Sequence, residues 1–215
     1  MAYDLYVITD ETTSRGLSHV EIARQAIAGG AAVIQLRDKT CGCRELARTG
    51  REISQITRET GTLFVVNDRL DVAIACGADG VHLGQGDLCV DVARQIAPAG
   101  FVIGISVGSV EEAVRAEAEG ADYIAVSPVF STGSKQDAGP GHGLSVLRAI
   151  RARVSCPVVA IGGINRANVE EVVRAGADGV AVISAVVGSP DITATAREMK
   201  ALITRAKKRR VMHDR

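Results

Sequence analysis

Gln35, Arg37 and Lys39 occupy alternate positions of one stretch, Ala32-Val-Ile-Gln-Leu-Arg-Asp-Lys39. Residues two apart share a face of an extended strand, so an amide, a guanidinium and an ammonium are set to point the same way. Two cations on one side of a buried strand end are costly unless something anionic meets them. The stretch alone leaves two readings: an anion-binding wall, or a strand that has already ended and lets Arg37 and Lys39 solvate a loop.

Other segments carry the remaining chemistry. Asp68 and Asp87 each follow a short apolar run. Two carboxylates with few other hard ligands suit Mg²⁺, which keeps waters and completes its octahedron with substrate phosphate. Each would also serve as a helix cap, Asp68 for a helix from Arg69 and Asp87 for one near Val90. Ser131-Thr-Gly-Ser-Lys135 offers hydroxyls, a permissive glycine and a cation, and Gly139-Pro-Gly-His-Gly143 supplies hinges. Such a loop can order over a phosphate. Ala160-Ile-Gly-Gly-Ile164 and Val182-Ile-Ser184 form a second candidate anion site, because N–H groups freed by glycine near a short helix bind a phosphate monoester. Tight turning alone would also account for those glycines. His82 is expected to face inward with no assigned base role, and His142 reads as a loop residue. Two phosphate-handling regions imply a substrate pair, one a diphosphate with Mg²⁺ and one a monophosphate.

Composition narrows the class. The 215 residues are 47% hydrophobic with a formal net charge of zero, and aromatics are only 3% with no Trp. That material builds a core and offers neither the basic excess nor the stacking platforms of a nucleic-acid binder. The five cysteines are scattered, and Cys41-Gly-Cys43 lacks the two-residue spacing of zinc and redox motifs, so free thiols are expected. The chain opens without a signal-peptide pattern and has no membrane-length apolar run. A cytoplasmic protein with small-molecule substrates is the expectation; oligomeric state is not legible.

The elements that must position these residues follow from a repeat. Gly30-Ala-Ala-Val-Ile-Gln-Leu36 matches Gly77-Ala-Asp-Gly-Val-His-Leu83, Gly120-Ala-Asp-Tyr-Ile-Ala-Val126 and Gly176-Ala-Asp-Gly-Val-Ala-Val182. In each, a glycine closes a helix and a short apolar strand follows. Four more apolar runs lie between them, at Leu5–Thr9, Leu63–Val66, Val102–Ile105 and Val158–Ile161. Ser18-His-Val-Glu21 and Ser109-Val-Glu-Glu112 read as capping boxes, and further helices fit Arg44–Thr60, Arg69–Ala75, Val90–Ile96, Leu144–Val154, Ala167–Ala175 and Ile192–Lys207. Strict strand–helix alternation predicts an α/β fold, a single (β/α)₈ TIM barrel, with a doubly wound open sheet as the alternative. The barrel is expected over residues 1–207 and a basic, solvated, fraying tail over 208–215. In a barrel the site lies at the C-terminal strand ends, where all the residues above fall.

Taken in order, these motifs resemble the thiamine-phosphate synthase (thiamine-phosphate pyrophosphorylase) family. The resemblance runs from Leu5-Tyr-Val-Ile-Thr-Asp10 to Ala181-Val-Ile-Ser-Ala185. Its most specific parts are Gln35-Leu-Arg-Asp-Lys39, Val66-Asn-Asp68, Gly80-Val-His-Leu-Gly-Gln-Gly-Asp87, Ile103-Gly-Ile-Ser106 and Pro128-Val-Phe-Ser-Thr-Gly-Ser-Lys135. It implies a transferase joining hydroxymethylpyrimidine diphosphate to thiazole phosphate with release of pyrophosphate. It also implies that Gln35, Arg37, Lys39 and Asn67 meet the pyrimidine diphosphate with Ser106 and Lys135 nearby. Asp68 and Asp87 would then hold Mg²⁺, and Thr132, Ser134, Gly163, Ile183 and Ser184 would meet the thiazole phosphate. Arg37, Lys39, Lys135 and Ser106 are the implied catalytic set. Gly108, Ser127, Ser134 and Asp38 depart from the family pattern, which commonly has His, Gly, Thr and Glu there. A thiazole tautomerase of the same barrel family, which dispenses with the diphosphate and metal set, and a non-catalytic phosphate-binding barrel are the alternatives.

Overall fold

The strands are apolar on both faces because both faces are covered. The computed structural model describes residues 3–133 and 141–213. Among them eight parallel strands pair in sequence order and close into a barrel: β1 (Leu5–Ile8), β2 (Val33–Leu36), β3 (Leu63–Asn67), β4 (Gly80–Leu83), β5 (Val102–Val107), β6 (Tyr123–Val126), β7 (Val158–Ile161) and β8 (Gly179–Val182). The crossovers contain α1 (His19–Ala28), α2 (Cys43–Thr60), α3 (Leu70–Cys76), α4 (Val90–Ile96), α5 (Val110–Ala118), α6 (Gly143–Arg151) and α7 (Val169–Arg174). A short α8 (Ser184–Val187) and a long α9 (Ile192–His213) follow β8. The expected barrel is therefore observed, and the open sheet is not.

The period of two sorts the core into two shells. Ile34, Leu36, Phe64, Val66, Ile124 and Val126 point outward to the helices. Tyr6, Ile8, Val33, Val65, Tyr123, Val159 and Ala181 fill the barrel interior. Gly104 on β5 makes room there: a Cβ would lie 2.0 Å from the Tyr123 ring. Beside it Tyr3 and Tyr123 pack with centroids 4.8 Å apart.

The repeat serves the N-terminal strand ends. Gly30, Gly77, Gly120 and Gly176 all take positive φ, between 70° and 115°, a conformation that glycine adopts without steric cost. Two residues on, Asp79, Asp122 and Asp178 accept the N–H groups of Phe64 (2.8 Å), Ile103 (2.7 Å) and Val158 (3.0 Å), tying each strand to its predecessor.

Two local expectations change. Ser18 forms the full capping box with Glu21. Ser109 forms half of one, since its Oγ accepts the Glu112 N–H while the Glu112 carboxylate reaches past the cap to the Gly108 N–H at 2.7 Å. The last helix also runs through His213, where composition suggested a solvated tail from residue 208. The long side chains hold it down: Arg210 donates to the Val173 and Ala177 carbonyls and to Asp178, and Lys200 and Lys207 both reach Asp4. Burial alone would raise the Asp4 carboxyl, but the two lysines more than offset that and hold it below its ordinary value. Among the described residues no helix is long and apolar enough to cross a membrane.

Candidate active site

Two cavities open at the C-terminal strand ends and meet at Ser127 and Pro128, which line both. The first, about 500 Å³, is walled by Arg37, Lys39, Asn67, Asp68, His82, Ser106 and the turn Gly84-Gln-Gly-Asp87. Asn67 is the last residue of β3, and β2 ends one residue before Arg37. The short strands therefore deliver an amide and a guanidinium to one rim.

Arg37 is mostly buried, its side chain 12% exposed, with Nη1 3.6 Å from the Asp10 carboxylate. Its Nε is buried with no hydrogen-bond partner. A buried donor left open in this way is costly unless something occupies the space. The solvated-loop reading of Arg37 is therefore set aside. Lys39 follows Asp38, whose carboxylate accepts the Thr40 N–H (2.7 Å), the Thr40 hydroxyl and the Cys41 N–H, with His19 Nε2 at 3.4 Å. Burial opposes ionisation of Asp38, but those donors outweigh it and bring the carboxyl from its ordinary 3.8 to about 2. Asp38 thus stays charged and fixes the turn that presents Lys39.

Asp68 and Asp87 enter the same cavity from the ends of β3 and β4. Neither caps a helix: α3 is preceded by Arg69 and α4 by Cys89, both without a side-chain cap. Asp68 holds φ of 61° while its N–H donates to the His82 carbonyl at 2.8 Å, a left-handed backbone that costs a non-glycine residue and recurs at functional sites. Asp87 is exposed, and its Oδ2 accepts the Gly84 N–H at 2.7 Å. Among the described residues no cluster of three or more His, Cys, Asp or Glu is placed to hold a metal by itself.

The second cavity, about 510 Å³, is lined by Ser131, Thr132, Gly133, the turn Ile161-Gly-Gly-Ile-Asn165 and the residues from Ala181 to Ala185. It brings together Thr132, Gly163, Ile183 and Ser184. Gly162 and Gly163 have φ of 105° and 63°, and a Cβ at either would run into Pro128 or into Phe130 and Ser131. The Phe130 N–H donates to the Gly162 carbonyl at 3.1 Å, closing the strand-six loop onto this turn. The opening residues of the short α8, Ser184 and Ala185, lie against the same space. Ser134 and Lys135 lie outside the described residues.

Gln35 differs from expectation. It is 2% exposed, donates from Nε2 to the Tyr6 hydroxyl at 2.7 Å, and lines neither cavity. His82 is inward-facing as expected and bonds Ser106 Oγ at 2.9 Å. His142 sits outside both cavities, with its ring against Gly108, where a Cβ would meet Nε2 at 2.8 Å. Sequence reasoning passed over Tyr6 and Tyr123. The signal was available, since both fall in the inward phase of their strands and a buried tyrosine hydroxyl requires a partner.

Comparison with known proteins fits this geometry. The family described as thiamine monophosphate synthase matches residues 5–186. A protein named thiamine-phosphate synthase from Methanoregula boonei is 67% identical over 96% of this chain and 96% of its own length. Its namesake from Methanoculleus marisnigri is 64% identical over 96% of this chain and 98% of that one. The solved structure of a thiamine phosphate pyrophosphorylase from Pyrococcus furiosus superposes with a TM-score of 0.88 at 46% identity, covering 95% of this chain and 96% of the other. By sequence over nearly its whole length, and by fold, the chain belongs to the thiamine monophosphate synthase family.

Proposed function

We propose that the two joined cavities hold the two substrates of the family's reaction. In that reaction 4-amino-5-hydroxymethyl-2-methylpyrimidine diphosphate and thiazole phosphate give thiamine phosphate and pyrophosphate. The observation that carries the assignment is the buried, unpartnered Nε of Arg37 beside Lys39, Asp68 and Asp87. A diphosphate oxygen would satisfy it. The glycine turn and the start of α8 would take the monophosphate of the thiazole, with Thr132, Gly163, Ile183 and Ser184 around it and Ser134 from the loop.

The chemistry asks little of acids and bases. The bond from the pyrimidine methylene to the diphosphate oxygen breaks, both electrons leave with pyrophosphate, and the ring stabilises the carbocation. The thiazole nitrogen then supplies the electron pair of the new C–N bond. Arg37 and Lys39, with Lys135 from the loop, counter charge growing on the leaving oxygens, Ser106 donates a hydrogen bond nearby, and Asn67 orients the diphosphate. Asp68 and Asp87 would hold Mg²⁺, and the chemistry it would supply there is Lewis-acid stabilisation of the leaving group. Two carboxylates that cap no helix, in a cavity without a complete ligand set among the described residues, suit a cation whose remaining ligands are water and phosphate.

Five free thiols accord with a reducing compartment, and so with the cytoplasm. The test is incubation of the protein with both substrates and Mg²⁺, with thiamine phosphate followed by mass. Its appearance, dependent on both substrates, is the expected result. Conversion of the thiazole phosphate to an isomer without condensation would overturn the reading in favour of a tautomerase.

A further inference from the structure

The turn that carries Asp87 stands out from the barrel. Gly84 is partly buried, and Gln85, Gly86, Asp87 and Leu88 are all exposed. Asp87 Oδ2 accepts the Gly84 N–H at 2.7 Å, and the Asp87 N–H donates to the Gly84 carbonyl at 3.2 Å. Those two bonds close the turn on itself. Gln85 ties it outward: its Nε2 donates to the Ser106 carbonyl on β5 at 2.8 Å, and its Oε1 accepts from Arg115 Nη2 on α5 at 3.3 Å.

Strand register shows what the amide replaces. β4 ends at Leu83, paired with Ile105, while β5 continues to Val107. Successive carbonyls of a strand point to opposite sides, and the Val107 carbonyl accepts the Ser127 N–H at 3.0 Å, on the β6 side. The Ser106 carbonyl therefore faces the β4 side, one step beyond the last strand pair. The Gln85 side chain takes the place of the strand residue missing there. Chemistry also fixes which way the amide points. A carbonyl only accepts and a guanidinium only donates, so nitrogen faces Ser106 and oxygen faces Arg115. Arg115 is itself steadied by Glu119, one helical turn on, at 4.0 Å. Although Gln85 lines the cationic cavity, both ends of its amide are turned to the protein.

We propose that Gln85 is a positioning residue, which ties the Asp87 turn to β5 and α5 and so holds the Asp87 carboxylate where it can share a cation with Asp68. The shared cation rests on the Mg²⁺ reading above; the tether does not. An exposed turn with glycine at two of its four positions would otherwise have to be ordered by the ion, at a cost in affinity. Arg115, outside the cavity, acts on the site only by orienting the amide.

Two measurements on the full chain test this. In protein without added metal, amide exchange at Gly84 and Asp87, read by NMR, is expected to quicken about three- to tenfold in Gln85→Ala, the range one ordinary hydrogen bond supports. Unchanged exchange overturns the tether, and this arm needs neither substrate nor ion. Mn²⁺ supplied with inorganic pyrophosphate and followed by electron paramagnetic resonance is expected to bind about three- to tenfold more weakly to Gln85→Ala, with the melting temperature nearly unchanged. Arg115→Met should weaken binding about twofold by itself and not at all on top of Gln85→Ala, because it acts through the amide. Equal losses from Arg115→Met in both backgrounds would overturn the proposal. A lowered melting temperature in Gln85→Ala with Mn²⁺ affinity unchanged would make Gln85 merely structural and overturn it too. Wild-type protein that takes up no Mn²⁺ would overturn the Mg²⁺ reading instead, and the exchange arm still decides the tether.

Discussion

At the N-terminal ends of the strands, Asp79, Asp122 and Asp178 each accept a strand N–H, and Asp178 also receives Arg151 at 2.7 Å and Arg210 at 3.2 Å. At the C-terminal ends, Asp68 and Asp87 cap no helix and share a cavity with Arg37, whose Nε has no hydrogen-bond partner. The residue type is the same and the setting differs, since the backbone N–H that Asp87 accepts belongs to its own turn in the cavity and not to a neighbouring strand. Where a carboxylate closes a backbone donor, its charge is used in holding the barrel together. Where charges face a shared cavity, they can be completed by a ligand. Substitutions at the two ends should therefore separate stability from activity.

The largest effects are expected at the C-terminal end. Asp87→Ala and Arg37→Met should each lower condensation by roughly 10²–10³-fold, the usual loss when transition-state charge stabilisation is removed, with little change in melting temperature. Thorough chelation of Mg²⁺ should abolish the wild-type rate. Full activity after chelation would count against Asp68 and Asp87 as metal ligands.

The N-terminal end should show the reverse. Asp178→Ala leaves the Val158 N–H without its acceptor and removes the ionic partner of Arg151 and Arg210, which keep only carbonyl acceptors. A loss of about 1–3 kcal/mol follows from an unsatisfied buried donor, which lowers the melting temperature by several degrees in a chain of this length. kcat should hold. A fall in kcat with unchanged stability would break the division between the two ends.

How much of this was legible in sequence follows the same division. Four strands and the glycines before them came from a repeat in which a glycine stops a helix and a strand follows, four more strands from the apolar runs between, and the barrel from their alternation with helices. The convergence of Arg37, Lys39, Asn67, Asp68, Asp87 and Ser106 followed from strand phase, since all stand at C-terminal ends. Gln35 shows where phase is insufficient: it faces inward as expected, yet depth along the barrel axis depends on register, and register is a property of pairs. The interior bonds of Tyr6 and Tyr123 were hidden for the same reason, because 117 residues separate them. The continuation of α9 to His213 was not legible, because Arg210 reaches Asp178 from far along the chain, while Lys208, Arg209 and Val211 are exposed as a solvated run would be.

A smaller effect, in acid, separates a turn from the rest of the fold. The Asp38 carboxyl titrates near 2, below its ordinary 3.8. A carboxyl lowered on folding contributes stability that is present at neutral pH and is lost as pH falls from about the ordinary value toward the folded one. Asp4 adds to the same acid limb, since its carboxyl is also lowered. Asp38→Asn keeps an acceptor for the Thr40 and Cys41 N–H groups and removes the titration. It should be slightly less stable at neutral pH, with a shallower loss of stability between about pH 4 and 2. Unfolding followed by circular dichroism across that range decides it, and an unchanged acid slope would show that Asp38 is not held low.

The smallest expected effect tests whether every residue at the C-terminal end is tied to the reaction. Gly108 follows β5 and faces the His142 ring, outside both cavities. The His142 N–H is fixed to the Pro128 carbonyl at 2.8 Å and the Gly143 N–H to the Val129 carbonyl at 2.8 Å, so the backbone cannot retreat easily and only the imidazole can move. Gly108→Ala should therefore cost about 1 kcal/mol of stability, at the low end of overpacking penalties, with condensation kinetics unchanged. In a His142→Ala background the space is open and the same change should be close to neutral. The difference between the two backgrounds is the coupling energy of the contact. Additive losses would mean that the imidazole does not occupy that space. A loss of kcat with Gly108→Ala, at unchanged stability, would mean that the catalytic region extends beyond the residues lining the cavities.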